Sequence, residues 1–147
     1  MSLRDGSSKM SKSDPSDYTR INLTDSADEI AQKIKKAKTD PEPLPSEMAG
    51  LDDRPEARNL VGIYAALSGA TNAEILSEFG GQGFGIFKPA LVEIAVSQIA
   101  PISEKMNRLL DDRAEIDRIL KKGTEQARAR AEPVLAEVKK IVGFLPE

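Results

Sequence analysis

The chain has 147 residues, 39% of them apolar and 31% charged, with a net charge of −3, the balance of one folded soluble domain with or without an irregular arm. It has neither Cys nor His, which excludes disulfides, thiol nucleophiles and thiolate metal sites and removes the commonest general base and metal ligand. Any chemistry must use Lys, carboxylates, hydroxyls, backbone amides or a hard cation such as magnesium, which favours phosphate chemistry over hydrolytic triads.

No run approaches the roughly 18 consecutive apolar residues of a membrane span. The N-terminus has Arg4 and Asp5 followed by Gly and Ser, unlike a secretory signal. A cytoplasmic protein is expected, with no membrane or DNA partner and no metal site. Residues 41–100 carry three basic and eight acidic side chains, and residues 101–147 carry ten basic and nine acidic. Any nucleic acid must therefore meet a local surface rather than a global positive field.

In chain order, residues 1–17 are rich in Ser, Lys, Asp and Gly and read as an exposed arm. Tyr18–Leu23 alternates weakly, as a short extended segment does. Ser26 and Glu29 stand in capping-box spacing ahead of a helix. Its apolar stripe is Ala27, Ile30, Ile34 and Ala37, and Lys33, Lys35, Lys36 and Lys38 sit near its C-terminal end, favourably for the helix dipole. Three prolines between Thr39 and Pro45 stop it.

Pro55 opens a second helix with Leu60, Ile63, Tyr64 and Leu67 on one face and Gly69 at its close. Thr71 and Glu74 form another capping box, before a short helix ending at Gly80. The GGQGFG turn, Gly80–Gly85, looks like a phosphate loop, but no parallel-sheet pattern precedes it and no Lys-Ser/Thr ends it, so it is read as a helix connection. A long apolar helix follows with Phe87, Leu91, Ile94 and Ala95, bent or broken at Pro101, and Ile102, Met106, Leu109 and Leu110 continue its buried face. The last helix is expected from about Thr124 to Val142, bent at Pro133. The fold class is all-α, a small helical bundle preceded by a loop-rich N-terminal arm.

The string with chemical content is DGSSKMSKSDPSD, Asp5–Asp17. It presents two ammonium groups, Lys9 and Lys12, on a hydroxyl-rich loop suited to an anion, although such loops are more often plain solvated surface. Lys9–Ser13 reads KMSKS and resembles the signature of class I aminoacyl-tRNA synthetases. SLRDG before it, then DPSD and INLTDSADEIAQKIKKAKTD after it, resemble the tryptophanyl members in particular. NLVGIYAALSG and the FKPALVEI and APISEKMNRLL segments do so as well, so the likeness covers essentially the whole chain.

The resemblance implies the C-terminal part of a tryptophan–tRNA ligase, with residues 1–25 as the KMSKS loop and arm of a catalytic domain and residues 26–147 as a helical anticodon-binding domain. Lys9 and Lys12 would stabilise charge on the pyrophosphate leaving ATP, and Met10, Ser11 and Ser13 would join them in binding the nucleotide. ATP with Mg2+ would be a substrate of the intact enzyme, with nothing tightly bound to this portion. Transfer RNA for tryptophan would be the partner, tryptophan would bind in the absent domain, and the whole enzyme would be a homodimer. The α/β domain with its HIGH-like signature has no counterpart here, so the chain is expected to be inactive alone. Arg108, Arg118, Lys121, Lys122, Arg128 and Arg130 are candidate RNA phosphate contacts, although each also fits a solvated helix face. The alternative is a stand-alone, non-catalytic RNA-binding or assembly module derived from a synthetase, and a purely structural role stands third.

Overall fold

The computed structural model describes residues 1–144. Every regular element among them is helical. The α-helices are α1 (Ala27–Lys35), α2 (Pro55–Ser68), α3 (Asn72–Phe79), α4 (Phe84–Asp111) and α5 (Arg113–Ile141), with 3-10 turns at Asp17–Thr19 and Met48–Leu51. The chain adopts the expected all-α architecture behind a loop-rich arm. It divides into two units, Met1–Met106 and the segment from Asn107 onward.

The first unit is set up by local chemistry. Ser26 Oγ accepts from Glu29 N–H while the Glu29 carboxylate accepts from Ser26 N–H at 2.7 Å, closing the first capping box. Thr71 and Glu74 repeat the arrangement at α3. Each box satisfies amides that the first helical turn leaves without partners. Pro55 begins α2, where its missing N–H costs nothing, and Gly69 closes it with a φ of 76°.

Those ends aim the apolar faces inward. Ile30 and Ile34 of α1, Leu60 and Val61 of α2, Ile75 and Leu76 of α3 and Phe87 and Leu91 of α4 are buried in one core with Leu3, Leu44 and Leu51. At its centre Tyr64, Phe79 and Phe87 form a ring cluster with centroids 5.2–5.7 Å apart. Such geometry adds to the stabilisation from area burial.

The arm is part of this unit. Leu3 is buried in the core, its N–H donates to Thr19 O, and its carbonyl accepts from Lys38 N–H at 2.8 Å. A Cβ on Gly6 would fall 2.4 Å from the Pro55 carbonyl carbon, so only glycine lets the arm lie against the start of α2.

Four sequence expectations differ from what is found, one being that Ile102, Met106 and Leu110 do not continue a buried face and are 51%, 36% and 53% exposed. Tyr18–Leu23 is not extended; a 3-10 turn occupies Asp17–Thr19. The last helix starts at Arg113 rather than near Thr124, because Asp112 caps it by accepting from Glu115 N–H at 3.0 Å. Pro101 does not break α4: a proline removes one rung of the ladder, and buried Leu91 and Ala95 before it and Ser103 after it hold the flanking turns. By length and composition α4 is also apolar enough to cross a membrane, with a mean hydropathy of 1.3 over 18 residues. Phe87, Leu91 and Ala95 give that apolarity a use in the core.

Truncating the central ring tests this packing. Phe87→Ala is expected to destabilise the first unit by about 3–5 kcal/mol, read from the midpoint of urea unfolding.

Candidate functional site

Residues Lys9–Ser13 form an exposed turn between the arm and the 3-10 turn at Asp17. Its entrance is an acidic knot: Ser7 Oγ and Ser8 Oγ donate to the two oxygens of Asp5 at 2.6 and 2.5 Å, and Ser7 N–H adds a third bond. Those bonds favour the ionised carboxylate and lower the pKa of Asp5 to about 2. Inside the turn, the hydroxyls of Ser11 and Ser13 lie 3.0 Å apart, and Asp14 N–H donates to Ser11 O. The Arg20 guanidinium reaches the carbonyls of Ser11, Asp14 and Ser16 at 3.2–3.5 Å.

The foundation of the turn lies one layer deeper. Lys33 of α1 is only 4% exposed, and its ammonium contacts Asp17 at 2.5 Å and Asp25 at 2.6 Å. Asp25 is equally buried and also accepts from Asn22 N–H at 2.8 Å, while Asn22 Nδ2 donates to Asp17. Arg20 pairs at 3.1 Å with Asp17 Oδ1, the oxygen that Asn22 also reaches, while Lys33 holds Oδ2. Burial pulls the Lys33 ammonium down, but its bonds to Asp17 and Asp25 prevail and hold it above the ordinary value. The same bond from Lys33, with the one from Asn22, holds Asp17 below the ordinary carboxylate range. Lys33 is therefore a buried anchor and not one of the solvated lysines at the end of α1. The signal was its place between Ile30 and Ile34 on the buried face.

Other cations around α1 are also occupied. Lys88 of α4 donates to Ala37 O at 2.7 Å, and Arg4 Nη1 donates to Lys36 O, so two cations cap the end of α1. Burial and then Arg4 push the Lys88 ammonium down. Lys36 sits 4.6 Å from the Tyr18 ring centroid, and Lys38 pairs with Glu56 at 2.8 Å.

In the second unit, Arg118 is held by Glu115 through two bonds of 2.6 and 2.7 Å. Arg108 lines a shallow cleft with Leu109, Asp112 and Glu115. Lys121, Lys122, Arg128 and Arg130 are exposed. Lys121 and Arg128, two turns apart, share a side of α5, whereas Arg130 lies on roughly the opposite side at 3.6 residues per turn. The six cations do not converge on one surface.

The family model described as tRNA synthetases class I (W and Y) matches residues 1–97. The tryptophan–tRNA ligase of Caulobacter vibrioides is 65% identical over 98% of this chain and 42% of its own length. Those of Rhizobium meliloti and Thermosynechococcus vestitus are 63% and 45% identical, over 41% and 43% of their lengths. The crystal structure of tryptophanyl-tRNA synthetase from Mycoplasma pneumoniae matches 99% of this chain and 45% of its own, with a TM-score of 0.70 and 26% identity. The chain thus spans less than half the length of the relatives it matches.

The likeness does not rescue the nucleotide-handling expectation. An ATP loop of this class works against an α/β nucleotide-binding sheet, and the described residues contain no strand. A cleft of about 570 Å³ opens beside Gly6 and Pro55, but none of Lys9–Ser13 lines it. The expectation of a KMSKS-bearing part of a working ligase, with Lys9, Met10, Ser11, Lys12 and Ser13 stabilising ATP and pyrophosphate, is therefore corrected: among the described residues the chain is purely helical, without the sheet that such a loop works against.

The buried anchor gives a measurable pH signature. Lys33→Met is expected to cost about 3–5 kcal/mol, because Asp25 stays buried without its cation, and to speed amide exchange through residues 9–20. Asp17 is depressed, so its contribution is complete above its ordinary 3.8 and fades as pH falls through the lowered value. Lys33 is raised, so its contribution is complete below 10.5 and fades as pH rises through the raised value. After correction for intrinsic exchange, protection of the turn should be level between about pH 5 and 8; a steady slope across that range would contradict the assignment.

Proposed function

The chain belongs to the class I tRNA synthetases of the tryptophan and tyrosine type, and from that premise we propose that it acts as a non-catalytic, RNA-binding helical module of that family. The observation that carries the reading is the turn at Lys9–Ser13: two exposed cations on a base fixed by a buried ion pair, with no sheet among the described residues to hold a nucleotide. A cation on a prearranged turn meets a phosphate with less loss of side-chain and backbone freedom than one on a loose loop.

In the first unit Lys9 and Lys12 are the proposed phosphate contacts, with Ser11 and Ser13 as hydroxyl donors. In the second, taken by itself, Lys121, Lys122, Arg128 and Arg130 are the better candidates. Arg118 must first leave Glu115, and Arg108 faces the acidic pair Asp112 and Glu115. The RNA is proposed to be the tryptophan transfer RNA, because the relatives are tryptophan–tRNA ligases. ATP, Mg2+ and tryptophan are assigned to the longer enzymes, and a cytoplasmic location follows from the same likeness.

A transcript of that transfer RNA, compared with an anticodon-altered one at two salt concentrations, tests the reading. Affinity is expected to fall with salt, and Lys9→Ala and Lys12→Ala should each make the log–log salt slope shallower by about 1. An anticodon preference would extend the role to base recognition, whereas indifference would confine it to phosphate contact. No tryptophan-dependent exchange of pyrophosphate into ATP is expected, and measurable exchange by this chain would refute the non-catalytic assignment.

A further inference from the structure

The ends of the exposed turn are tied down, by the bond of 2.9 Å from Ser2 N–H to Ser8 O before it and by Asp17 on Lys33 after it. Its middle is a different matter. There Ser11 meets Ser13 and Asp14 N–H reaches Ser11 O, bonds that join near neighbours. A short polar segment closed only on itself keeps most of its backbone freedom. Among the described residues, Arg20 is the only side chain from beyond the turn that bonds the carbonyls of Ser11 and Asp14.

The Arg20 guanidinium is built in as a hub. Its side chain is 15% exposed. Nε–H donates to Asn22 Oδ1 at 3.1 Å, Nη2 pairs with Asp17, and Nη1 faces the carbonyls of Ser11, Asp14 and Ser16. Since Asp17 also rests on the buried Lys33, the fork carries order from α1 into the turn. The two hydrogens of Nη1 serve three carbonyls at 3.2–3.5 Å, so each bond is long and the three act as a set. A lysine ammonium has one nitrogen and cannot span these acceptors as the planar fork does. Ser11 and Asp14 bracket Lys12, so the backbone that Arg20 fixes is the backbone from which Lys12 projects. Each carbonyl drawn inward to Arg20 is also one acceptor fewer facing an approaching phosphate.

We propose, resting on the reading of Lys9 and Lys12 as phosphate contacts, that Arg20 is the positioning residue of the turn. It fixes the backbone on both sides of Lys12 and acts on a polyanion through Lys12, without touching the phosphate itself. A contact residue and a positioning residue leave different signatures. Loss of a contact makes the salt slope shallower, because fewer counterions are released. Loss of a positioning residue lowers affinity at an unchanged slope, because the same contacts form on a backbone that must first be ordered.

The test titrates the full chain with the tryptophan transfer RNA transcript over a range of salt concentrations. Arg20→Lys, which keeps the charge and loses the fork, is expected to weaken binding about three- to tenfold with the slope unchanged. Arg20→Gln, which also loses the charge, should weaken it at least as much, again at unchanged slope. In both variants amide exchange at Ser13, Asp14 and Ser16 should quicken several-fold, with the helical circular dichroism retained. In a Lys12→Ala chain the further change Arg20→Lys should alter affinity by less than about twofold, whereas in a Lys9→Ala chain its effect should persist. Unchanged affinity in both Arg20 variants overturns the assignment. So does a slope shallower by about 1 in Arg20→Gln, or an Arg20→Lys effect that stays whole without Lys12. If Lys9→Ala and Lys12→Ala themselves leave the slope of the parent chain unchanged, the phosphate-contact reading fails, and the role of Arg20 falls with it.

Discussion

The first unit is organised around one buried charge, the Lys33 ammonium between Asp17 and Asp25. An ammonium taken out of water costs several kcal/mol unless its partners surround it, and the penalty fixes where those partners must be. Asp25 precedes α1 and Asp17 follows the exposed turn, so one cation ties the start of α1 to the base of the turn. Leu3 completes the tie from the other side by entering the core and bonding Thr19 and Lys38 through its backbone. The consequence is an exposed, cation-bearing turn whose two ends have little freedom. This separates Lys9 and Lys12 from ordinary surface lysines, because the backbone on both sides of them is tied down.

What was legible in the sequence was local. The Ser26 and Thr71 capping boxes, Pro55 at the start of α2 and Gly69 at its end involve residues within a turn of one another, and each appears where the spacing put it. The misreadings share a different cause. Lys33 looked like a dipole lysine because its partners lie 8 and 16 residues away, across a turn that periodicity cannot trace. The start of α5 was set 11 residues late because Asp112 and Glu115 form only half a capping arrangement, within a charged run that hides the period. Pro101 looked like a boundary, but the core contacts on either side of it outweigh the single lost rung.

The site was legible as a motif and not as an activity. A five-residue string can be matched letter by letter, but the chemistry it serves elsewhere depends on a sheet at the right distance. Charge on a turn stabilises a leaving pyrophosphate only if the nucleotide is held in place beside it. The described residues offer helices and a solvent-exposed turn instead. In the proposed reading the same two lysines keep only the attraction of an ordered cation for phosphate in a polyanion, which weakens as salt rises.

The second unit poses the opposite problem. The first unit buries its apolar stripes and exposes its cations, whereas α5 exposes both. A segment of about 40 residues can rarely enclose a core of its own, and none of the described residues of the 29-residue α5 is buried. The Asp112 cap and the Glu115–Arg118 pair are local devices, and at an exposed helix such an ion pair contributes little. Local devices of that size can define where a helix begins, and here they set the start of α5 at Arg113 without burying Val134, Val138 or Ile141.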